Sequence, residues 1–215
     1  MSNWGSRFGA WIEHLRRTRP VFQSKSDLVH SLARSIRACD PALELHPGDG
    51  RGTERVDLRA SVPAVGVHLA LRLRYPRAAW SGTVAGERFA LKNHSAQDLT
   101  CYDVVRDIRD LERLTDHRLG WSGGVLLLIN DALYWKRPDH HRTAIHDAFR
   151  LYEGARLAGV RAWRPYAGQG TTAKREEALT LRGAYRCTWS WYSRLEGRRG
   201  DFRLLTVPIG RRTPL

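Results

Sequence analysis

The stretch VHLALRLRYP, residues 67–76, alternates strictly: Val67, Leu69, Leu71, Leu73 and Tyr75 against His68, Ala70, Arg72 and Arg74. A period of two marks a β-strand with one buried face, because successive side chains point to opposite sides of a sheet. The second face presents two arginines, two residues apart. A central strand carrying two long cations side by side needs something to neutralise them.

Just upstream, ERVDLRA at 54–60 places Val56 and Leu58 on one side and Arg55, Asp57 and Arg59 on the other. Ser61, Val62, Pro63 and Ala64 are too short a link for anything but an antiparallel hairpin. Asp57 then meets Arg72 and Arg74 on one face. As plain chemistry that is a cross-strand ion pair on a solvated surface, worth a few tenths to about 1 kcal/mol.

Downstream, Glu87–Leu91 reads as a short strand. Ser95 followed by Asp98 is a capping box, and AQDLTCYDVVRDIRDLERL (96–114) follows with Leu99, Tyr102, Val105, Ile108 and Leu111 as its apolar stripe. Asp98, Asp103, Arg106, Asp107, Arg109, Asp110 and Arg113 occupy the helix's remaining surface. GVLLLIN (124–130) has the continuous apolar character of a strand buried on both faces, with a turn at Asn130-Asp131 and a returning strand at Ala132–Trp135. Thr143–Tyr152 reads as a short helix. The last third reads as strands at Glu177–Leu181, Ala184–Tyr192 and Phe202–Ile209.

Two helices precede the hairpin. Residues 4–17 form a basic amphipathic helix ended by Pro20. Ser24 and Asp27 cap a second helix with Leu28, Val29, Leu32, Ala33 and Ile36 at helical spacing. The order predicts an α/β fold with a mixed β-sheet flanked by helices. The expected organisation is an N-terminal helix (1–20) and a single domain (21–215), with a core to about 152 and a β-rich extension from about 153.

The 215 residues carry a formal net charge of +14, from 36 Lys+Arg and 22 Asp+Glu. Such a balance favours a polyanionic partner, nucleic acid above all, although an arginine-rich composition alone produces the same figure. The first residues hold no apolar run of signal-peptide type, and the longest apolar run is GVLLLI (124–129). The expectation is a cytoplasmic protein with no membrane partner. Cys39, Cys101 and Cys187 are far apart and read as free thiols. His140, His141 and His146 lack acidic or thiol partners at metal-binding spacing and read as a solvated loop. Trp189 and Trp191 share one strand face, where they either stack bases or fill a core.

Taken together, RVDL (55–58), RLRY (72–75), LKNHSAQDLTCYDVVRDIRDLE (91–112), WSWYS (189–193) and FRLL (202–205) resemble the PD-(D/E)XK nuclease superfamily. Within it, they are similar to a group of small bacterial nuclease-like proteins. The resemblance implies a restriction-endonuclease-like core and metal-dependent phosphodiester hydrolysis, with DNA as the substrate and Mg²⁺ as the cofactor. It carries the metal-binding Asp to Asp57, the second acid to Arg72 and the catalytic Lys to Arg74. Gln97 with Tyr102 resembles a helix motif of some branches, which makes Gln97 a third candidate catalytic residue.

The departure is chemical. Arg72 repels a cation, and Arg74 is a poor proton shuttle because its pKa exceeds about 12. Either acids such as Asp27, Glu44, Glu54 or Asp98 complete a rearranged site, or the site has become an anion-binding surface. In that second case Arg72, Arg74, Lys92 and Asn93 are the nucleic-acid-binding candidates.

Overall fold

The computed structural model describes residues 4–48, 55–94, 96–139 and 143–210. Two helices open the chain, α1 (Trp4–Thr18) and α2 (Lys25–Cys39), followed by strands β1 (Glu44–Pro47), β2 (Leu58–Val62), β3 (Val67–Arg74), β4 (Trp80–Val84) and β5 (Glu87–Leu91). Helix α3 (Gln97–His117) leads into β6 (Trp121–Ile129). The remainder is mainly β: β7 (Arg156–Arg161), β8 (Leu179–Arg186), β9 (Trp189–Arg194) and β10 (Asp201–Ile209).

The central sheet runs β1-β2-β3-β6-β10-β9. β1, β2 and β3 form an antiparallel meander, and α3 carries the chain over to β6, which lies parallel to β3. β10 and β9 then add antiparallel. The C-terminal part therefore divides: β9 and β10 complete the central sheet, while β7 and β8 form a separate ribbon. β4 and β5 make a second hairpin.

The alternation in β3 sorts two cores. Leu69, Leu71 and Leu73 join Trp11, Leu15, Leu28, Leu32 and Ile36 of α1 and α2 on one face. On the other face Ala70 joins Val104, Val105, Ile108 and Leu111 of α3. β6 divides likewise, with Leu126 and Leu128 toward α1 and α2 and Val125, Leu127 and Ile129 toward α3. This is the two-face burial that its continuous apolar run predicts. The first helix is docked: Trp11 is fully buried, and its indole donates to Asp40 Oδ2 at 2.5 Å.

The second helix is capped by Ser24, with the return bond of the box shifted to the preceding amide. Ser24 Oγ accepts from the Asp27 amide at 3.1 Å, and Asp27 Oδ2 accepts from the Gln23 amide at 2.9 Å. The β2–β3 link is a single 3-10 turn, Pro63–Val65, closed by Gly66 at φ 62°. Gly120 packs so closely there that a Cβ would meet the Gly66 carbonyl oxygen at 2.2 Å.

Several local expectations are corrected. A bend at Asp57 breaks the alternation of residues 54–60, so Val56 packs on the α3 side while Leu58 packs on the other. Ala132–Trp135 is a run of turns, because the antiparallel neighbour of β6 is β10. The expected helix at 143–152 shrinks to a 3-10 turn at Asp147–Phe149. β8 continues past Arg182-Gly183, where a break was expected, but the register with β7 shifts there and leaves those two residues out of the ladder. Ser95, His140, His141 and Glu54 lie outside the described residues.

Candidate functional site

The carboxyl end of β3 lies between the start of α2 and the sheet-facing side of α3. Two adjoining cavities of about 440 and 450 Å³ open there, sharing Lys25, Arg74 and Asp103 in their walls. The parallel pair β3–β6, joined by a helical crossover, places this cleft at the carboxyl ends of its strands, where open α/β sheets bind ligands.

Asp57 sits at the bend before β2. Its Oδ2 accepts from the Leu73 amide at 2.7 Å, while its own amide donates to the Leu71 carbonyl at 2.8 Å. Its Oδ1 meets the Lys25 ammonium at 2.7 Å. The second residue of this pair is thus a lysine from the first turn of α2, a position that the hairpin sequence gave no reason to single out.

Arg72 and Arg74 turn toward α3 and are met by aspartates. Arg72 Nη1 donates to Asp107 Oδ1 at 2.7 Å and to Asp110 Oδ2 at 3.0 Å. Arg74 grips Asp107 with Nε at 2.5 Å and Nη2 at 3.0 Å, and reaches Asp103 Oδ2 with Nη1 at 3.1 Å. Two-point contacts of this kind are among the stronger charged hydrogen bonds. Asp103 also accepts two bonds from Arg175, at 2.9 and 3.1 Å, and pairs with Arg106 at 2.7 Å.

The surface that the apolar stripe leaves on α3 is therefore not all turned to solvent: Asp103, Asp107 and Arg109 are buried. A helix repeats every 3.6 residues, so 103, 107 and 110 share one face, and that face meets the arginine face of β3. Burial pushes the Asp107 carboxyl up, but Arg74 and Arg72 outweigh it and hold the group below its usual range. Burial opposes the charge on Arg74, and Asp107 more than restores it. The Asp103 hydrogen bonds hold Arg175 more firmly protonated.

Mg²⁺ wants several oxygen ligands in near-octahedral array, usually including one or two carboxylates with a free lone pair. Both Asp57 oxygens are engaged, and the nearest other carboxylates are taken by arginines. No group of three or more His, Cys, Asp or Glu among the described residues is arranged to hold a metal ion. The described residues do not fit a magnesium site.

The acids considered as replacements stand elsewhere. Asp27 pairs with Arg19 at 2.8 Å, Asp98 accepts from the Leu99 amide at 2.8 Å, and Glu44 lies near His46 at 3.7 Å. Gln97 donates to the Leu133 carbonyl at 2.5 Å and lines neither cavity. Tyr102 donates to the Glu177 carbonyl and stacks on Trp163 at 5.4 Å, a packing role. Lys92 and Asn93 are exposed and line neither cavity, although the next residue, His94, does.

Asp57, Arg72 and Arg74 are thus brought together, and Gln97, Lys92 and Asn93 are not. Lys25, Arg55, Arg77, Asp103, Arg106, Asp107, Asp110 and Arg175 complete the cleft. Its Lys and Arg side chains are Lys25, Arg55, Arg72, Arg74, Arg77, Arg106 and Arg175, against the four aspartates 57, 103, 107 and 110, an excess of three positive charges. Every one of the four aspartates is paired with a cation. Arg55 and Arg77 have no carboxylate within ion-pair reach among the described residues.

Compared with protein-family models, with curated proteins and with solved structures, the chain matches none. No helix among the described residues is long and apolar enough to cross a membrane.

Proposed function

We propose that this chain is a nuclease-like protein of the restriction-endonuclease-like kind whose cleft binds nucleic acid, DNA foremost, without cutting it. The order α2, β1, β2, β3, α3, β6, with a meander and a parallel fourth strand, supports the fold resemblance. The observation that carries the functional reading is the charge balance of the cleft. All its carboxylates are satisfied from within, and its spare charge is positive. Phosphodiester oxygens suit the unmatched guanidinium groups, and the described residues of the cleft offer no free carboxylates to anchor a hydrolytic metal.

The test is binding of fluorescein-labelled DNA across a salt series, together with incubation of plasmid and single-stranded DNA with Mg²⁺ or Mn²⁺. Salt-sensitive binding with no cleavage is expected. Arg77→Ala should lower the slope of log K against log salt by about one. Absence of binding at low salt refutes the reading.

One contact favours a second reading, a rearranged hydrolytic site around Asp57. Lys25 stands 2.7 Å from its carboxylate, so a lysine and an aspartate do meet in the cleft. Cleavage that disappears in Asp57→Ala would establish this reading over the first.

A further inference from the structure

Beyond the cleft, on the same sheet face, Trp191 of β9 is 38% exposed and holds two guanidinium groups. Arg194 lies 3.7 Å from its ring centroid and Arg203 of β10 lies 4.1 Å from it; Arg203 also sits 5.4 Å from the Trp135 ring. The two cations are therefore closer together than a Debye length at physiological salt, about 8 Å. Neither has a carboxylate within ion-pair reach among the described residues, although Asp201 is the cross-strand neighbour of Arg194. The buried Nε of Arg203 has no hydrogen-bond partner. Two like charges held together on one indole and left unneutralised form a surface that gains by receiving an anion, and their flat guanidinium planes also stack on bases.

The register fixes where this surface stands. Arg74 pairs with Leu127, Leu127 with Leu205, and Leu205 with Trp189; two residues further along, Ile129 pairs with Arg203 and Arg203 with Trp191. Three strand spacings, about 14 Å, separate β3 from β9. The two are tied together. Asn130 accepts from the Ala78 amide at 2.8 Å and donates to the Arg199 carbonyl at 2.9 Å, joining the segment after β3 to the β9–β10 loop. The Trp80 indole makes a second tie to the Glu196 carbonyl at 3.0 Å.

We infer that the nucleic acid held in the cleft is single-stranded, with a base and its phosphate captured on the Arg194–Trp191–Arg203 surface. This rests on the nucleic-acid reading of the cleft. A duplex keeps its base faces stacked inside and can offer this surface only phosphates, whereas an unpaired strand crossing from the cleft offers a base plane within a few nucleotides. Stacking of one base typically accounts for a five- to hundredfold change in affinity, about the range expected here.

The experiment measures anisotropy of a labelled oligothymidine and of a labelled duplex of equal length on the full chain, for wild type, Trp191→Leu and Arg194→Ala. Both sites are at a sheet edge, and an unchanged Tm identifies folded variants. Arg194→Ala, at an exposed position, keeps the test sharp if Trp191→Leu unfolds. The expected result is tighter binding of the single strand by wild type, with roughly tenfold weaker single-strand binding in the variants; the duplex, which offers this surface only phosphates, should keep its affinity in Trp191→Leu and lose less than the single strand does in Arg194→Ala. Equal affinity for both forms, or variants that bind the single strand as wild type does, overturns the inference and leaves the cleft reading standing. Wild type that binds neither form refutes both.

Discussion

Replacing Asp107 by alanine tests the arrangement on which the site depends. Asp107 is 4% exposed and accepts three hydrogen bonds from two arginines, of which Arg72 is itself 7% exposed. Removing one partner of a buried ion pair typically costs about 3–5 kcal/mol, because the other charge is left without compensation. Here each arginine keeps one carboxylate, Arg72 with Asp110 at 3.0 Å and Arg74 with Asp103 at 3.1 Å. The expected loss is therefore at the lower end, about 3 kcal/mol, which for a chain of this size is a fall in Tm of roughly 6–12 °C. Urea unfolding should show a lower midpoint at unchanged slope.

The pH dependence adds an independent arm. The folded-state pKa of Asp107 lies below its ordinary value of about 3.9. Its contribution is then present in full above that value and is lost as pH falls through the folded pKa. The difference between wild type and Asp107→Asn should be constant from about pH 6 to 8 and shrink below about pH 4. A loss under about 1 kcal/mol for Asp107→Ala, the range of an exposed pair, would refute the buried network and with it the account of Arg72 and Arg74.

Three further outcomes follow from the same structure. Burial pushes the Cys187 thiol up to about 12 and the Cys101 thiol higher still, while Cys39 is only half-buried; at pH 8 the native protein should give one readily alkylated thiol, and three equal rates would contradict the packing. The Glu112 carboxylate accepts from the Arg182 and Gly183 amides and the Tyr185 hydroxyl, so Glu112→Ala should speed hydrogen exchange at Arg182 and Gly183 about tenfold or more, and unchanged exchange would mean that the β7–β8 ribbon is held otherwise. Lys25 has a 44% exposed side chain, so Lys25→Met should change stability by less than about 1 kcal/mol while weakening DNA binding, because it leaves the Asp57 carboxylate uncompensated in the cleft; unchanged binding would remove the Lys25–Asp57 pair from the proposed interface.

The elements legible in the sequence are those whose partners are dictated by local pattern. The alternation of 67–76, the capping box at Ser24 and the apolar run at 124–130 each name a face or an end, and each is found. What was misread depends on distant partners. β6 looked as though it should return at once through Ala132–Trp135, yet it pairs with β10 far along the chain. β4 (WSGTV) and β7 (RLAGVR) carry glycines and little alternation, so neither announces itself as a strand. The helix pattern placed the α3 aspartates only on the surface left by the apolar stripe and named no partner for them, although charged residues are rarely buried without partners. Their partners were in plain view on β3. Matching the 103, 107, 110 spacing to the 72, 74 spacing was the signal that would have found them.

That match also bears on why the arginines are there. A buried ionic cluster adds little stability over well-packed apolar residues of the same volume, so stability alone does not account for Arg72 and Arg74. What the aspartates accomplish is to hold two guanidinium groups in fixed positions while removing their charge from the outside world. The charge that a ligand meets at the cleft is then set by the groups left over: Arg55 and Arg77 beside it, and Arg194 and Arg203 across the sheet. A metal site would require the reverse arrangement, with carboxylates left over and cations spent. The proposed bias of this cleft toward anions thus rests on which side of each ion pair has a surplus, a property that the strand VHLALRLRYP carries only jointly with the helix packed against it.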